Sequence, residues 1–441
     1  MFPSGEQIRV VPWKYIPPLT KVRGVFFYPE IASVQMKEAV FMKFSSRIEA
    51  CSLSPIRKFG PYLAEAQAKG RNVYQLNIGQ PDIETPPVFL AAIRNYGSKV
   101  VGYAPSPGVN AYLEAAQEYY ARLGYEVSCD DILATYGGSE ALQILFSCIL
   151  EDGDEVLVPE PYYPNYDTFI RVTGATIHPI PTDPAKGYRF ATREQIEPHI
   201  NAHTRALLIT NPGNPTGVVL TPEERRVLAD IAKEHNLFLI SDEVYRELVY
   251  GGQKPSSMLE FPDLAENVVV IDSVSKRFSA TGARVGAIIS RNRELMGHAM
   301  KIAQGRLCAT TLDQIGAAAL YRTMTPEYYD GVRAEYQRRR DAVEAALRKI
   351  PGVQFAYPEG AFYVMVKLPV DDADQLQYFL LQEFEDHGDT VMYAPGDGFY
   401  AEPGKGRDEV RIAYVNQVEK LQRAIEVLGL GIQAYNARQK Q

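Results

Sequence analysis

Residues 267–290 read NVVVIDSVSKRFSATGARVGAIIS. Two apolar runs rich in β-branched residues, NVVVIDS and VGAIIS, enclose a polar link that carries Lys276 and, eight residues on, Arg284, with Gly282 and Gly286 on either side of the arginine. A run that is apolar almost without a break suits a strand covered on both faces, because neither row of its alternating side chains meets water. Upstream, DILATY, DEVLVPE, ATIHPIP, RALLIT and LFLISD repeat the pattern and alternate with helical rhythms. This alternation predicts an α/β fold, with a large domain whose mostly parallel, mixed, seven-stranded sheet is sandwiched by helices.

Beyond the sheet region the pattern changes. PEYYDGVRAEYQRRRDAVEAALRKI, starting at Pro326, puts Val332, Tyr336, Val343 and Leu347 on one helical face. Arg338, Arg339 and Arg340 are expected to form its solvated side. GAFYVMVKL and EVRIAYV read as strands of a smaller α+β domain. The expected division is an irregular N-terminal extension over 1–41, the N-terminal part of the small domain over 42–84, the large domain over 85–325, and the C-terminal part of the small domain over 326–441. The extension has no consistent period, holds the single tryptophan, Trp13, and lacks the layout of a secretory signal. Met42, just before a helical rhythm begins, is expected to be the natural start.

The totals exclude several function classes. A net charge of -8 over 441 residues argues against a nucleic-acid partner, which calls for a basic face. No apolar run is long enough for a bilayer; ALQILFSCIL carries Gln143 and Ser147 and reads as a core helix. Cys51, Cys129, Cys148 and Cys308 are scattered without metal-site spacing, as expected of reduced thiols in the cytoplasm. His199 and His203 have the spacing of metal ligands on a helix, but Ile200 stands where a zinc protease needs Glu, so no metal is expected.

Ligands of open α/β sheets bind beyond the carboxyl ends of the strands, so the polar residues there carry the chemistry. DILATY runs into GGSEALQ, whose Gly137, Gly138 and Ser139 open a helix and offer unpaired N–H groups to a phosphate. Arg284 adds a planar fork for phosphate oxygens and Ser273 a hydroxyl donor. Asp242, at the end of an apolar strand, is costly to bury without a cation, and a protonated pyridine nitrogen is one. Lys276 is an amine placed where it can condense with an aldehyde. Phosphate, pyridinium and aldehyde together describe pyridoxal 5′-phosphate.

NIGQPDIETP, YAPSPG, GGSEAL, PYYPNY, NPGNPTG, SDEVY, SVSKRFSATGARVG, PEGAFY and VRIAYV occur in this order. From about Met42 to its C-terminus the chain resembles the fold-type I, class I/II aminotransferases, near the prokaryotic aspartate aminotransferase branch. The resemblance implies pyridoxal phosphate as cofactor and a ping-pong transamination between an amino acid and a 2-oxo acid. It implies that Lys276 is the Schiff-base lysine and proton shuttle, Asp242 the partner of the pyridine nitrogen, and Tyr245 and Asn214 the donors to the ring 3-oxygen. It further implies that Tyr163 stacks on the ring and that Gly138, Ser139, Ser273 and Arg284 hold the phosphate. Arg411 corresponds to the arginine that grips the substrate α-carboxylate, and Gly79 to the backbone that closes over it. Tyr103 matches a tyrosine that reaches the neighbouring subunit's cofactor, which implies a homodimer.

Some positions depart from the family pattern. Tyr112-Leu113 replaces a common Leu-Arg and is expected to be a surface change. Tyr400 follows Phe399 where glycine is common, so a different pocket rim is expected. Ser139 stands where some aspartate-using relatives carry a basic residue, and no second clamp for a side-chain carboxylate is legible. Aspartate:2-oxoglutarate transamination is the leading expectation. A C–S β-lyase on the same scaffold is the alternative, and a pyridoxal-phosphate-binding regulatory domain a more distant one, since residues 1–41 are too short and irregular for a DNA-binding unit.

Overall fold

The structure, a computed structural model, describes residues 43–439, so the extension expected over 1–41, and Met42 with it, lies outside the described residues. Ser45–Gln441 forms one compact unit. Its strands, in chain order, are β1 (Asn72–Gln75), β2 (Ile132–Thr135), β3 (Glu155–Pro159), β4 (Thr176–Ile180), β5 (Thr204–Thr210), β6 (Phe238–Asp242) and β7 (Val268–Ser273). There follow β8 (Gly286–Ile289), β9 (Gln354–Phe355), β10 (Tyr363–Lys367), β11 (Asp389–Met392), β12 (Ala394–Pro395) and β13 (Glu409–Ala413).

The seven runs read as large-sheet strands are the seven strands of one sheet, ordered β2-β8-β7-β6-β5-β3-β4. Only β8 runs against its neighbours; the other pairings are parallel. Every residue of β7 is buried, which is why that run shows no polar alternation. One face packs on the helix Gly138–Ile149, whose Ala141, Leu142, Leu145 and Phe146 point inward while Gln143 and Ser147 face solvent. The other face packs on the helices Asn110–Arg122, Pro222–Glu234 and Thr311–Thr323. This layering brings the ends of β2, β3, β5, β6 and β7 to one edge of the sheet. The reversed β8 begins at that edge, its Gly286 paired with Ser273 of β7 and Thr135 of β2.

A second core forms around the sheet β12-β13-β10-β9 and the parallel pair β1-β11, so residues 72–75 join the chain's C-terminal part. The helix Pro326–Leu347 buries Val332, Tyr336, Val343 and Leu347, the face read from its spacing. Its three arginines do not all face water. Arg339 and Arg340 are buried; only Arg338 is exposed. Arg339 donates to Asp82 and to the Val415 carbonyl, and Arg340 to the Pro358 carbonyl. Tyr112 and Leu113 are also buried rather than superficial: the Tyr112 hydroxyl donates to the Gly286 carbonyl at 3.3 Å, tying a helix to the start of β8.

Candidate active site

The link between β7 and β8 starts with a cap. Ser273 ends the strand, and its Oγ accepts a hydrogen bond from the Ser275 N–H at 3.1 Å, which starts the short helix Val274–Arg277. That turn aims Lys276 across the sheet edge, where Nζ donates to the Gly79 carbonyl at 2.7 Å. Burial, and then the charges of Arg411 and Arg284, push the amine down to about 8, with Asp242 opposing. Gly79 is confined in turn: a Cβ there would lie 1.8 Å from the Tyr363 hydroxyl.

Asp242 ends β6, buried, where its Oδ2 accepts from the Tyr166 hydroxyl at 2.6 Å and its Oδ1 from the Val244 N–H at 3.3 Å. Burial pushes its carboxyl up to about 6, and no cation among the described residues forms an ion pair with it. Beside it, the turn after β2 reaches Gly137 with φ +78° and opens the helix at Gly138, with Ser139 in the first turn. A Cβ on Gly137 would come within 2.5 Å of Arg284 Nη2, so the glycine lets the guanidinium lie flat against the turn. Arg284, itself left-handed at φ +52°, donates to the carbonyls of Thr281 and Tyr136 at 3.0 Å each.

On the opposite wall β13 delivers Arg411, only 2% exposed. Its Nη1 donates to Asn214 Oδ1 at 3.0 Å and its Nη2 to the Asn77 carbonyl at 2.6 Å. The guanidinium lies 4.3 Å from the Tyr363 ring centroid and 5.1 Å from that of Phe399. Arg411 Nε, also buried, has no partner among the described residues, and no acid pairs with the group. The Tyr245 hydroxyl lies 3.0 Å from that of Tyr363, and Tyr163 stands edge-on to Tyr166 with its own hydroxyl accepting from Asn165.

Every site residue named from the sequence lines this one cleft except Gly137, which lies beneath Arg284, and Tyr103, which stands outside it, 82% exposed. Tyr400 is not on the rim; its hydroxyl donates to Glu409 at 2.6 Å. The lining residues that draw no role from the sequence include Tyr363, Ser275 and Arg57. Tyr363 lies in the quoted PEGAFY, and Ser275 in SVSK, so position in a motif was a usable signal for both. Arg57 lies in no quoted motif and follows no strand.

Residues 71–428 match the model of the family described as aminotransferase class I and II. The chain belongs to this family. Over 396 residues this aminotransferase is 31% identical to the aspartate aminotransferase of Bacillus subtilis, covering 87% of this chain and 98% of that one. Among solved structures, the aspartate aminotransferase from Thermus thermophilus with maleate superposes with a TM-score of 0.80 at 28% identity, over 89% of this chain and all of that one (100%). The alanine aminotransferase from Pyrococcus furiosus superposes equally well, with a TM-score of 0.80 at 27% identity over 89% and 100% of the two chains. The protein is thus a pyridoxal-phosphate-dependent transaminase of fold type I. The donor set fits that cofactor: a buried carboxylate without a cation, an amine of lowered basicity, and a glycine turn beneath an arginine that no acid neutralises.

Proposed function

We propose that this aminotransferase moves the amino group of aspartate to 2-oxoglutarate in the cytoplasm, as a homodimer in which the exposed Tyr103 reaches the neighbouring subunit's cleft. The observation that carries the substrate reading is Arg411. A buried guanidinium held flat by Asn77 and Asn214, without an acid of its own, suits a carboxylate presented two oxygens at a time. It faces the same cleft as Lys276, so an amino acid gripped there by its α-carboxylate turns its Cα toward the amine. In this reading the large domain, residues 85–325, holds the cofactor, and the smaller one, 42–84 with 326–441, brings Gly79 and Arg411 to the substrate.

The residues divide the work by charge. Asp242 would sit at the pyridine nitrogen, Arg284 with Ser273, Gly138 and Ser139 at the phosphate, Tyr245 and Asn214 at the ring 3-oxygen, and Tyr163 on the ring face. Pyridoxal phosphate, when bound, spreads the negative charge that develops at the substrate Cα. Lys276 Nζ holds and returns the Cα proton; an amine at about 8 is largely charged at neutral pH yet has enough free base to accept one. Arg411 keeps the carboxylate still while this happens, and Tyr363, against both Arg411 and Tyr245, keeps their side chains in register.

The deciding experiment is an absorbance titration of the holoenzyme with single L-amino acids and no oxo acid. Aspartate is expected to bleach the visible band and 2-oxoglutarate to restore it, while Lys276→Ala gives no such band. A band that no amino acid changes would overturn the reading. Release of pyruvate and ammonia from cysteine-like donors alone would point to the β-lyase.

A further inference from the structure

We propose that Arg57 is the second cationic clamp of the cleft and selects substrates that carry a carboxylate on the side chain. The inference rests on the transaminase reading above and names the residue that would make a dicarboxylate the preferred substrate.

Four cations line the cleft: Arg57, Lys276, Arg284 and Arg411. Lys276, Arg284 and Arg411 answer the aldehyde, the phosphate and the α-carboxylate. Arg57 remains. It closes the short turn Pro55–Arg57, which is anchored from two sides. Asn77 Nδ2 donates to the Ile56 carbonyl at 3.2 Å, and the carbonyl of the same Asn77 accepts from Arg411 Nη2 at 2.6 Å, so both arginines hang from one asparagine. Pro55 packs so closely on Gly398 that a Cβ there would lie 2.3 Å from the proline ring. The turn is therefore seated, and its distance from Arg411 is set by backbone contacts rather than by a flexible tether.

The neighbouring charge is spent elsewhere. Lys58 is bound by Asp374 at 2.5 Å and Asp397 at 3.2 Å. The Arg57 guanidinium makes no hydrogen bond or ion pair with any described residue, although its charge is felt by the phenol of Tyr163 across the cleft. The same cleft is lined by the apolar side chains of Ile56, Ile78 and Leu142, and Ser139 supplies only a hydroxyl. A side-chain carboxylate set against these apolar residues would lose part of its hydration, and a guanidinium fork offsets that cost. The same fork gives nothing to a methyl or aromatic side chain. Two arginines on one mounting thus match a substrate with two carboxylates.

The test uses holoenzyme of the wild type, Arg57→Gln and Arg57→Lys. Aspartate and alanine are compared as donors, and maleate and propionate as unreactive ligands titrated by calorimetry. In Arg57→Gln the ratio of kcat/KM for aspartate over alanine is expected to fall about 10–100-fold, as for loss of a charge-assisted hydrogen bond. Maleate binding should weaken by a similar factor while propionate binding changes little, and Arg57→Lys should recover part of both. An Arg57→Gln enzyme that transaminates with an unchanged ratio and unchanged maleate affinity would overturn the clamp and leave the transaminase reading intact. A wild type that transaminates no donor but still loses maleate affinity in Arg57→Gln would overturn the reaction instead.

Discussion

Two groups of charged residues lie a few residues apart at the same sheet edge and are treated in opposite ways. In the first, Asp272 accepts from Arg277 Nη2 at 2.8 Å, from Arg246 Nη2 at 2.9 Å and from the Tyr120 hydroxyl at 2.8 Å. Arg246 also donates to Glu243 at 2.6 Å, and the Tyr119 and Tyr120 rings cover the guanidinium groups. Burial alone would raise the Asp272 carboxyl, yet Arg277 and Arg246 outweigh it and hold the group below its ordinary range. In the second, Asp242, Lys276, Arg284 and Arg411 share a cleft, and none of them is ion-paired with another side chain among the described residues. Glu243 of the closed group directly follows Asp242 of the open one, so neighbouring residues at the end of β6 serve different groups. The closed group neutralises itself and supports the edge. The open group keeps its charges for a ligand, at a cost in stability.

The largest effect that would break this contrast lies in the closed group. Asp272→Asn leaves two buried guanidinium groups short of their shared carboxylate and is expected to cost about 3–5 kcal/mol, read from denaturant unfolding of the cofactor-free protein. A loss below about 1 kcal/mol would show that the cluster does not hold the edge.

In the open group the sign reverses. Asp242 has its folded carboxyl raised to about 6 from 3.8, so the stability it contributes is complete below 3.8 and lost as the pH rises through about 6. Asp242→Asn removes that liability. At pH 8 the cofactor-free variant is expected to gain about 1–3 kcal/mol over wild type while transamination falls, and at pH 3.5 the gain should vanish. Destabilisation at pH 8 would mean that the aspartate is a structural member after all.

The smallest effect concerns Lys276. Its amine, pushed down to about 8, should react with an amine-selective acylating reagent in the cofactor-free protein with a midpoint near 8 rather than 10.5. Arg411→Met removes one of the charges that lower it, so the midpoint should rise, by up to about one pH unit. A midpoint that stays put would assign the depression to burial and Arg284, with no share for Arg411.

Legibility in the sequence followed the range of the interactions involved. NVVVID and RALLIT announced themselves because a strand covered on both faces must be apolar throughout, and the residues just after them inherit their place from that topology. Asp242 and Lys276 were legible for this reason, Arg284 because it stands just before the next apolar run, and Arg411 because it lies in the motif VRIAYV. Short-range patterns misplaced Arg339 and Arg340 on the solvated side: their partners at Asp82, Val415 and Pro358 come from other parts of the chain, and helical spacing gives only a residue's face. Tyr112 was misplaced for the same cause, since the carbonyl it caps belongs to β8. Arg57 was silent because the turn that seats it is held by Asn77 and Gly398, contacts that leave no periodic trace.

The reversed direction of β8 has a consequence for how the molecule measures its ligand. Because this strand begins where its neighbours end, the chain that departs from the edge with Lys276 returns to it with Arg284. The two groups proposed to hold the aldehyde and phosphate arms of one small molecule are therefore separated by a single short loop rather than by a crossover. That loop acts as a caliper whose jaws are fixed by neighbouring strands of one sheet. An added residue in this loop would reset the gap between the Lys276 amine and the Arg284 guanidinium.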